Sequence, residues 1–385
     1  LRKILIAGAG IGGLTLGVAL RRLGFEVEIY EKASNLLPIG FGLAIAPNAA
    51  LALRHINLDR AVVQAGHVIR QGQIKTATGK TLKEVPLGEL EARIGGSVVA
   101  INRGRLHQVL RTAFDESHLH LNSMVTGFKE SDQQVALILE NGQEIEGDLL
   151  IGADGIHSAV RRQLFPNSSM RYSGYTCWRG LCSAGNLLEE NVSTYMLGRG
   201  ARFSCTPLGD GNLYWYVTYF APENQAITQS PQSFLLQRYQ NWSSPVSDII
   251  ASTPDTSILH TDIYDADPLT TWSGQRVSLV GDAAHPMTPD MGQGACQAIE
   301  DAIILAKVLY DSSTIEEALQ AYEACRIPRT SKIVLQSRQV GQLEQTANPL
   351  VCSLRNALYS LLPIEFLLKQ TVNISKFDLS ADGAG

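Results

Sequence analysis

Residues 3–31, KILIAGAGIGGLTLGVALRRLGFEVEIYE, decide the fold. The short apolar run at 3–7 predicts a buried strand, 14–23 carries helical periodicity, and 26–31 predicts a second strand. Gly24 stands just past the helix, where a left-handed C-terminal cap is wanted. Between strand and helix, Gly8-Ala9-Gly10-Ile11-Gly12-Gly13 fits G-x-G-x-x-G. Gly8 permits the tight turn, Gly10 lets the backbone approach a pyrophosphate, and Gly13 allows close helix–strand packing. The helix N-terminus then offers free N–H groups and a positive dipole end to the anion. Glu31 follows Gly13 by 18 positions, a spacing that suits a carboxylate accepting hydrogen bonds from an adenosine ribose; Lys32 adjoins it as a further binding candidate. Three glycines would weaken a helix start without compensation, which argues against a turn with no ligand.

The turn alone does not separate FAD from NAD, so the rest of the chain has to. It has 385 residues, 45% hydrophobic and 18% charged, enough for a sizeable core and against wholesale disorder. A net charge of −5 and a pI of about 5.9 lack the basic footprint of a nucleic-acid binder. No run of 18 apolar residues is present, so no transmembrane segment is expected. The N-terminus enters a strand directly and leaves no room for a signal peptide, although the missing initiator Met leaves a trimmed start open; a cytoplasmic location is expected. Six scattered cysteines form no C-x-x-C pair and read as free thiols, and no metal is expected. His118 and His120, two apart, read as a surface pair rather than a metal site.

Along the chain, 72–96 predicts a hairpin about Thr78-Gly79, 103–116 a helix, 119–147 a meander turning at Asn141-Gly142, and 148–155 a buried strand. The block 171–272 differs: it holds all four tryptophans and eight of twelve tyrosines, and NLYWYVTYF at 212–220 has strong β character. A helix is expected near 231–252. Residues 276–285 return to the buried-strand style, 295–345 is helical, 350–370 is apolar and helical, and 375–385 is expected to fray. The expected architecture is α/β. A Rossmann-like nucleotide-binding domain is built from 1–71, 98–170 and 273–340. A mainly β substrate domain is inserted as 72–97 and 171–272, and 341–385 forms a helical C-terminal region.

Two later constellations bear on the cofactor. In DLLIGADGIHSAVRRQLF, Asp154-Gly155 falls at a strand end, followed by Ser158, Arg161 and Arg162. In RVSLVGDAAHPMTPDMGQGACQAIEDA, Gly281-Asp282 falls at another, followed by Pro286, Pro289 and Gly292-Gln293-Gly294 opening a helix. Asp282 suits a ribityl chain, and the Gly292–Ala295 backbone can aim N–H groups at the anionic edge of a flavin. The two prolines stiffen the loop.

With these three motifs in this order, the chain over about 3–340 resembles the flavin-dependent aromatic hydroxylases, the class of para-hydroxybenzoate, salicylate and urate hydroxylases, with zeaxanthin epoxidase as a relative. The resemblance implies an FAD-binding domain. Gly8, Gly10, Gly12, Gly13, Glu31 and Lys32 would serve the ADP half; Asp154 would lie near the pyrophosphate; Asp282, Gly292, Gly294 and Ala295 would contact ribityl and ring. Arg103 in INRGRLHQVL matches the family's FAD-contacting arginine, while His107 stands where many relatives have Gln, leaving its contact open.

The resemblance also implies a cycle: NADH or NADPH reduces the flavin, O2 adds to give a flavin hydroperoxide, and one oxygen passes to a small aromatic, heteroaromatic or polyene substrate. A second full dinucleotide fingerprint is absent, since Gln297 takes the place of a third glycine, so the nicotinamide would bind transiently. Gly40-Phe41-Gly42 offers room for flavin movement or is a simple turn. ARFSCTPLGDGNLYWY at 201–216 resembles the matching urate-hydroxylase segment. Arg202 and Tyr214 are therefore the expected substrate contacts, Arg202 through bidentate pairing with an anion. His285 is the candidate for proton traffic. Three rivals stand beside this reading: a halogenase, disfavoured by the missing W-x-W-x-I-P; a non-oxygenating isoprenoid reductase touching a membrane weakly through the apolar tail; and a flavin-binding redox sensor.

Overall fold

The computed structural model describes residues 3–36, 40–185, 187–377 and 379. Lys3–Ala7 is the middle strand of a five-stranded, wholly parallel sheet, in the order Val277–Leu279, Leu149–Gly152, Lys3–Ala7, Glu26–Tyr30, Leu119–His120. Parallel strands are covered on both faces, which is why these segments read as continuous apolar runs. The helix Ile11–Arg22 follows the turn. Gly17 lets it close on the sheet, since a Cβ there would fall 2.8 Å from Ile29 Cδ1. Gly12 lets it close on the helix Gly294–Asp311, since a Cβ there would fall 3.3 Å from Ala298 Cβ. Gly24 ends the helix at φ +89°.

The second sheet has seven strands, ordered Ile258–Asp265, Arg171–Ser183, Asn212–Phe220, Ala201–Gly209, Val192–Leu197, Gln71–Thr76, Thr81–Val85. The hairpin at 71–85 and the aromatic block thus share one sheet, joined where Val192–Leu197 runs parallel to Gln71–Thr76. Alternation divides the side chains between its faces. Phe203, Trp215 and Val217 pack outward in a core with Leu235, Tyr239 and Ile249, and the Trp215 indole donates to Thr253 Oγ1 at 2.8 Å. Tyr214 and Tyr216 face the opposite way, Tyr214 packing on Ile69, Ala100 and Leu208 and Tyr216 on Tyr175, Cys177 and Ile263. Register thus assigns Trp215 and Val217 to one face of NLYWYVTYF and Tyr214 and Tyr216 to the other.

Several boundaries differ from expectation. The helix near 231–252 is two, Pro231–Tyr239 and Val246–Ala251, separated at Pro245, which cannot donate to a helical ladder. The helix expected over 103–116 ends at Ala113, and Asp115 then caps a separate turn at Glu116–His118. The domain boundary expected after 340 falls inside one continuous helix, Ile315–Glu344, opened by a Thr314/Glu317 capping box. The tail forms the helices Pro349–Leu361 and Ile364–Ser375; the end expected to fray lies largely outside the described residues. His118 and His120 both grip the Glu28 carboxylate, at 2.8 and 2.6 Å.

Candidate active site

The phosphate turn is shaped by contacts no side chain would permit. Gly8 has φ +103°, and a Cβ there would fall 2.5 Å from the Ala153 carbonyl oxygen. A Cβ on Gly13 would overlap the Gly8 carbonyl oxygen. Gly10 is the contrast: nothing lies within 4 Å of where its Cβ would be. Gly8 and Gly13 are therefore glycines because the protein crowds them, while Gly10 borders open space. Glu31 steadies the turn by accepting from the Ala9 N–H at 2.8 Å and the Ala33 N–H at 2.9 Å. Lys32 is exposed beside it. His107 reaches the same turn, its Nε2 lying 2.6 Å from the Ala9 carbonyl oxygen. A carbonyl only accepts, so Nε2 carries the proton, and burial lowers the ring's pKa and favours that neutral form. Sequence had left this contact open.

The second motif caps a helix. Asp154 Oδ2 accepts from the Ala159 N–H at 2.7 Å, while its Oδ1 is buried without a partner. Burial raises the carboxyl's pKa against those hydrogen bonds. Arg161, which sequence assigned no role, ties this motif to the third: its Nη1 donates to the carbonyls of Ala283 and Ala284 at 3.0 and 2.9 Å. Its position in the quoted motif was the available signal. In the third motif Asp282 sits in a recess. Its side chain is open to solvent, yet surrounding protein raises its pKa by desolvation, which Arg103 and His285 partly oppose. Openness and crowding conflict only for a convex surface; a cleft has both. Arg103 is exposed at the start of its helix, next to Asn102, whose side chain donates to the Gly40 carbonyl at 2.7 Å. Gly292 takes φ +62° with open space at its Cβ position. Gly294 and Ala295 begin the helix, and a Cβ on Gly294 would sit 3.7 Å from Asp282 Oδ1.

The three expected substrate-side residues are not alike. Tyr214 is packed against Gly42, where any Cβ would strike its ring, and lies 6.5 Å from the Phe41 ring. Gly42 is thus held by packing, whatever movement the turn allows. Arg202 is 1% exposed and engaged throughout. It donates to Thr218 Oγ1 at 2.7 Å, the Tyr195 hydroxyl at 2.8 Å and Glu344 at 2.8 Å, and pairs with Asp290. This departs from the free cation expected for an anionic substrate. His285, the candidate for proton traffic, is 3% exposed and turned to Asp301, 2.6 Å from Nε2, a side-chain partner not foreseen from the sequence. Burial would raise Asp301, but His285 and Arg326 hold it down at about 2. Asp290 and Glu344, which organise Arg202, were missed: Asp290 lay unremarked in the third motif, and nothing in the sequence near Glu344 marks it.

The three loops enclose a recess with a pyrophosphate turn, an open Gly10, an unpaired Asp154 oxygen, Asp282 and a helix N-terminus at Gly294. That donor set fits FAD. The chain belongs to the family described as FAD binding domain, which matches residues 2–337. It is 42% identical over 355 residues to aurachin C monooxygenase/isomerase of Stigmatella aurantiaca, covering 92% of this chain and 93% of that one. It is 31% identical over 341 residues to FAD-dependent urate hydroxylase of Klebsiella pneumoniae, covering 88% and 89%. Klebsiella pneumoniae HpxO complexed with FAD and uric acid superposes with a TM-score of 0.92 at 26% identity, covering 97% of this chain and 96% of that one. The chain is an FAD-dependent monooxygenase, the resemblance seen in its motifs holds, and the reductant usual in the family is NADH or NADPH.

The crowding at Gly13 and the openness at Gly10 give opposite expectations for one substitution. Gly13→Ala costs about 1–3 kcal/mol or more through overpacking and lowers the melting temperature of the FAD-free protein. Gly10→Ala, in backbone any residue adopts, leaves that temperature nearly unchanged but weakens FAD at least about tenfold, or about 1.4 kcal/mol. Melting curves and FAD titration of both variants check this; unchanged FAD affinity in Gly10→Ala contradicts the assignment of the open space.

Proposed function

We propose that the chain uses NAD(P)H and O2 to hydroxylate or epoxidise a small unsaturated substrate held between the inner face of the seven-stranded sheet and the Gly281–Ala295 loop. The observation that carries this reading is that the sheet face bearing Tyr214 and Tyr216 meets the Gly281–Ala295 loop, through Tyr175 and Arg202 engaging Asp290. Bound FAD would take the reducing equivalents of NAD(P)H and supply the oxygen-activating chemistry. Gly8, Gly10, Gly12, Gly13, Glu31 and Lys32 would hold its ADP half, and Asp154 with Arg103 the middle. Asp282, Gly292, Gly294 and Ala295 would hold ribityl and ring, the helix N-terminus favouring negative charge there.

On the substrate side, burial pushes the phenols of Tyr214 and Tyr216 up, the latter to about 12. Both stay protonated at neutral pH and act as hydrogen-bond donors, not bases. Arg202 holds the loop through Asp290 and so positions the reacting partners. His285 supports the loop from behind through Asp301. The sheet excludes water from the reacting face.

To test this, the purified protein is loaded with FAD and NAD(P)H oxidation is followed with aromatic, heteroaromatic and polyene candidates. The expected result is a yellow protein whose NAD(P)H consumption rises with one candidate and yields an oxygenated product. Turnover of an isoprenoid without O2 would instead make it a reductase. Failure of NAD(P)H to bleach the flavin with any candidate would make it a redox sensor.

A weak membrane contact accompanies this reading. Among the described residues no single helix is long and apolar enough to cross a membrane. Yet on the helix Pro349–Leu361, Leu350, Leu354 and Leu361 are 80%, 72% and 81% exposed, and its one charged residue, Arg355, is buried. Beyond it Lys369 and Lys376 are exposed and Glu365 is paired with Arg93, while the chain carries −5. A cytoplasmic enzyme with this face would rest on an anionic lipid surface. The protein should co-sediment with vesicles containing phosphatidylglycerol, and Leu354→Gln with Leu361→Gln should abolish this. Equal sedimentation of the double variant, or none by the wild type, removes the proposal.

A further inference from the structure

A turn that offers its N–H groups to a ligand has to be held in shape by something else. The helix Gly294–Asp311 starts from Gln293, and no side chain caps it. Gln293 is 4% exposed, and its amide oxygen is turned to the protein. Oε1 accepts from Asn48 Nδ2 and from Gln297 Nε2, each at 3.0 Å. Asn48, near the start of the helix Pro47–Arg54, is fully buried. Its Nδ2 also donates to Glu300 Oε1 at 2.6 Å, while its Oδ1 is buried without a partner. Leaving a buried oxygen unmet is costly, so the two donor bonds are what fix this amide.

Charge sets their direction. Burial would raise the Glu300 carboxyl, but Arg326 and Arg329 hold it below the usual range, both pairing with its Oε2. An ionised carboxylate only accepts. Asn48 and Gln297 therefore both turn their NH2 groups to Glu300 Oε1, at 2.6 and 3.1 Å, and the second hydrogen of each falls to Gln293 Oε1. Arg326 Nη2 holds the other end of the Gln297 amide at 2.7 Å. The neighbouring acid serves the opposite end of the loop. Asp301 accepts from Arg326 Nε at 2.7 Å and from the Gly281 N–H at 2.9 Å, and meets His285. Two adjacent carboxylates thus clamp the Gly281–Ala295 loop at both ends, Asp301 directly and Glu300 through Asn48 and Gln297.

We propose that Asn48 is a positioning residue for the ring end of this loop: it holds Gln293, and through it the aim of the Gly292–Ala295 N–H groups at bound FAD. This rests on the FAD placement proposed above. Reduction brings electron density onto the ring, and N–H groups at a helix N-terminus stabilise negative charge. Asn48 therefore acts on reduced FAD more than on oxidised FAD.

The test compares the midpoint potential and FAD affinity of the FAD-loaded wild type, Asn48→Leu, Gln293→Leu and the double variant. Asn48→Leu should weaken reduced relative to oxidised FAD by roughly threefold to tenfold, within the range of a charge at a helix N-terminus. That lowers the potential by about 15 to 30 mV for a two-electron couple. Gln293→Leu should do the same, and the double variant no more than either, because residues acting through one another are not additive. A merely structural asparagine would lower the melting temperature without moving the potential. If Asn48→Leu does not fold, Asn48→Ala, which removes the amide without adding bulk, is read in the same way. An unchanged potential in a folded Asn48 variant overturns the proposal, and so do two single shifts that add in the double variant. Both results leave FAD binding standing; a wild type that takes up no FAD removes the FAD placement and this proposal together.

Discussion

The buried ion cluster of Arg202, Asp290 and Glu344 is the constraint on which the site's geometry depends. Arg202 comes from the substrate sheet, Asp290 from the loop between Gly281 and Ala295, and Glu344 from the end of the long helix Ile315–Glu344. Three separate parts of the chain thus converge on one guanidinium. Gly341 is where a Cβ would collide with the Asp290 carboxylate, so a glycine on that helix is what allows the convergence. Tyr175, Tyr195 and Tyr359 complete the hydrogen bonds of the two carboxylates. Removing one partner of such a cluster leaves a buried charge uncompensated, typically at about 3–5 kcal/mol. It ties the loop to the sheet.

The same logic of close approach shapes the cofactor recess. Gly8 and Gly13 are forced by contact with the Ala153 and Gly8 backbone, and Gly12 by the helix that opens at Gly294. His107 and Glu31 then pin Ala9 from its carbonyl and its N–H. Arg161 links the second loop to the third. Each loop leans on another.

Much of this was legible in the sequence, for a physical reason. Backbone demands leave residue-specific traces: a positive φ or a sub-van der Waals approach calls for glycine, and buried parallel strands call for unbroken apolar runs. Hence Gly8, Gly13, Gly292 and the strands at 3–7, 149–152 and 277–279 stood out, and with them the family. Side-chain partnerships leave no such trace. Arg202 looked like a free substrate cation because nothing nearby in sequence reveals Asp290, 88 positions away, or Glu344, 142 away. His285 looked like a proton relay because Asp301, one helix later, is its partner. The division expected at 340 falls inside the continuous helix Ile315–Glu344.

The central claim is that FAD lies in the recess formed by the three loops, with its ring between the Gly292–Ala295 turn and the Tyr214–Tyr216 face of the sheet. A crystal structure of the FAD-loaded protein tests it most directly. The account predicts the pyrophosphate against Gly10, the ribityl chain at Asp282 and the ring opposite the two tyrosines, with the Arg202–Asp290–Glu344 cluster intact. A flavin bound with its ring away from that face, or a cluster dissolved on binding so that Arg202 meets the ligand, would contradict it.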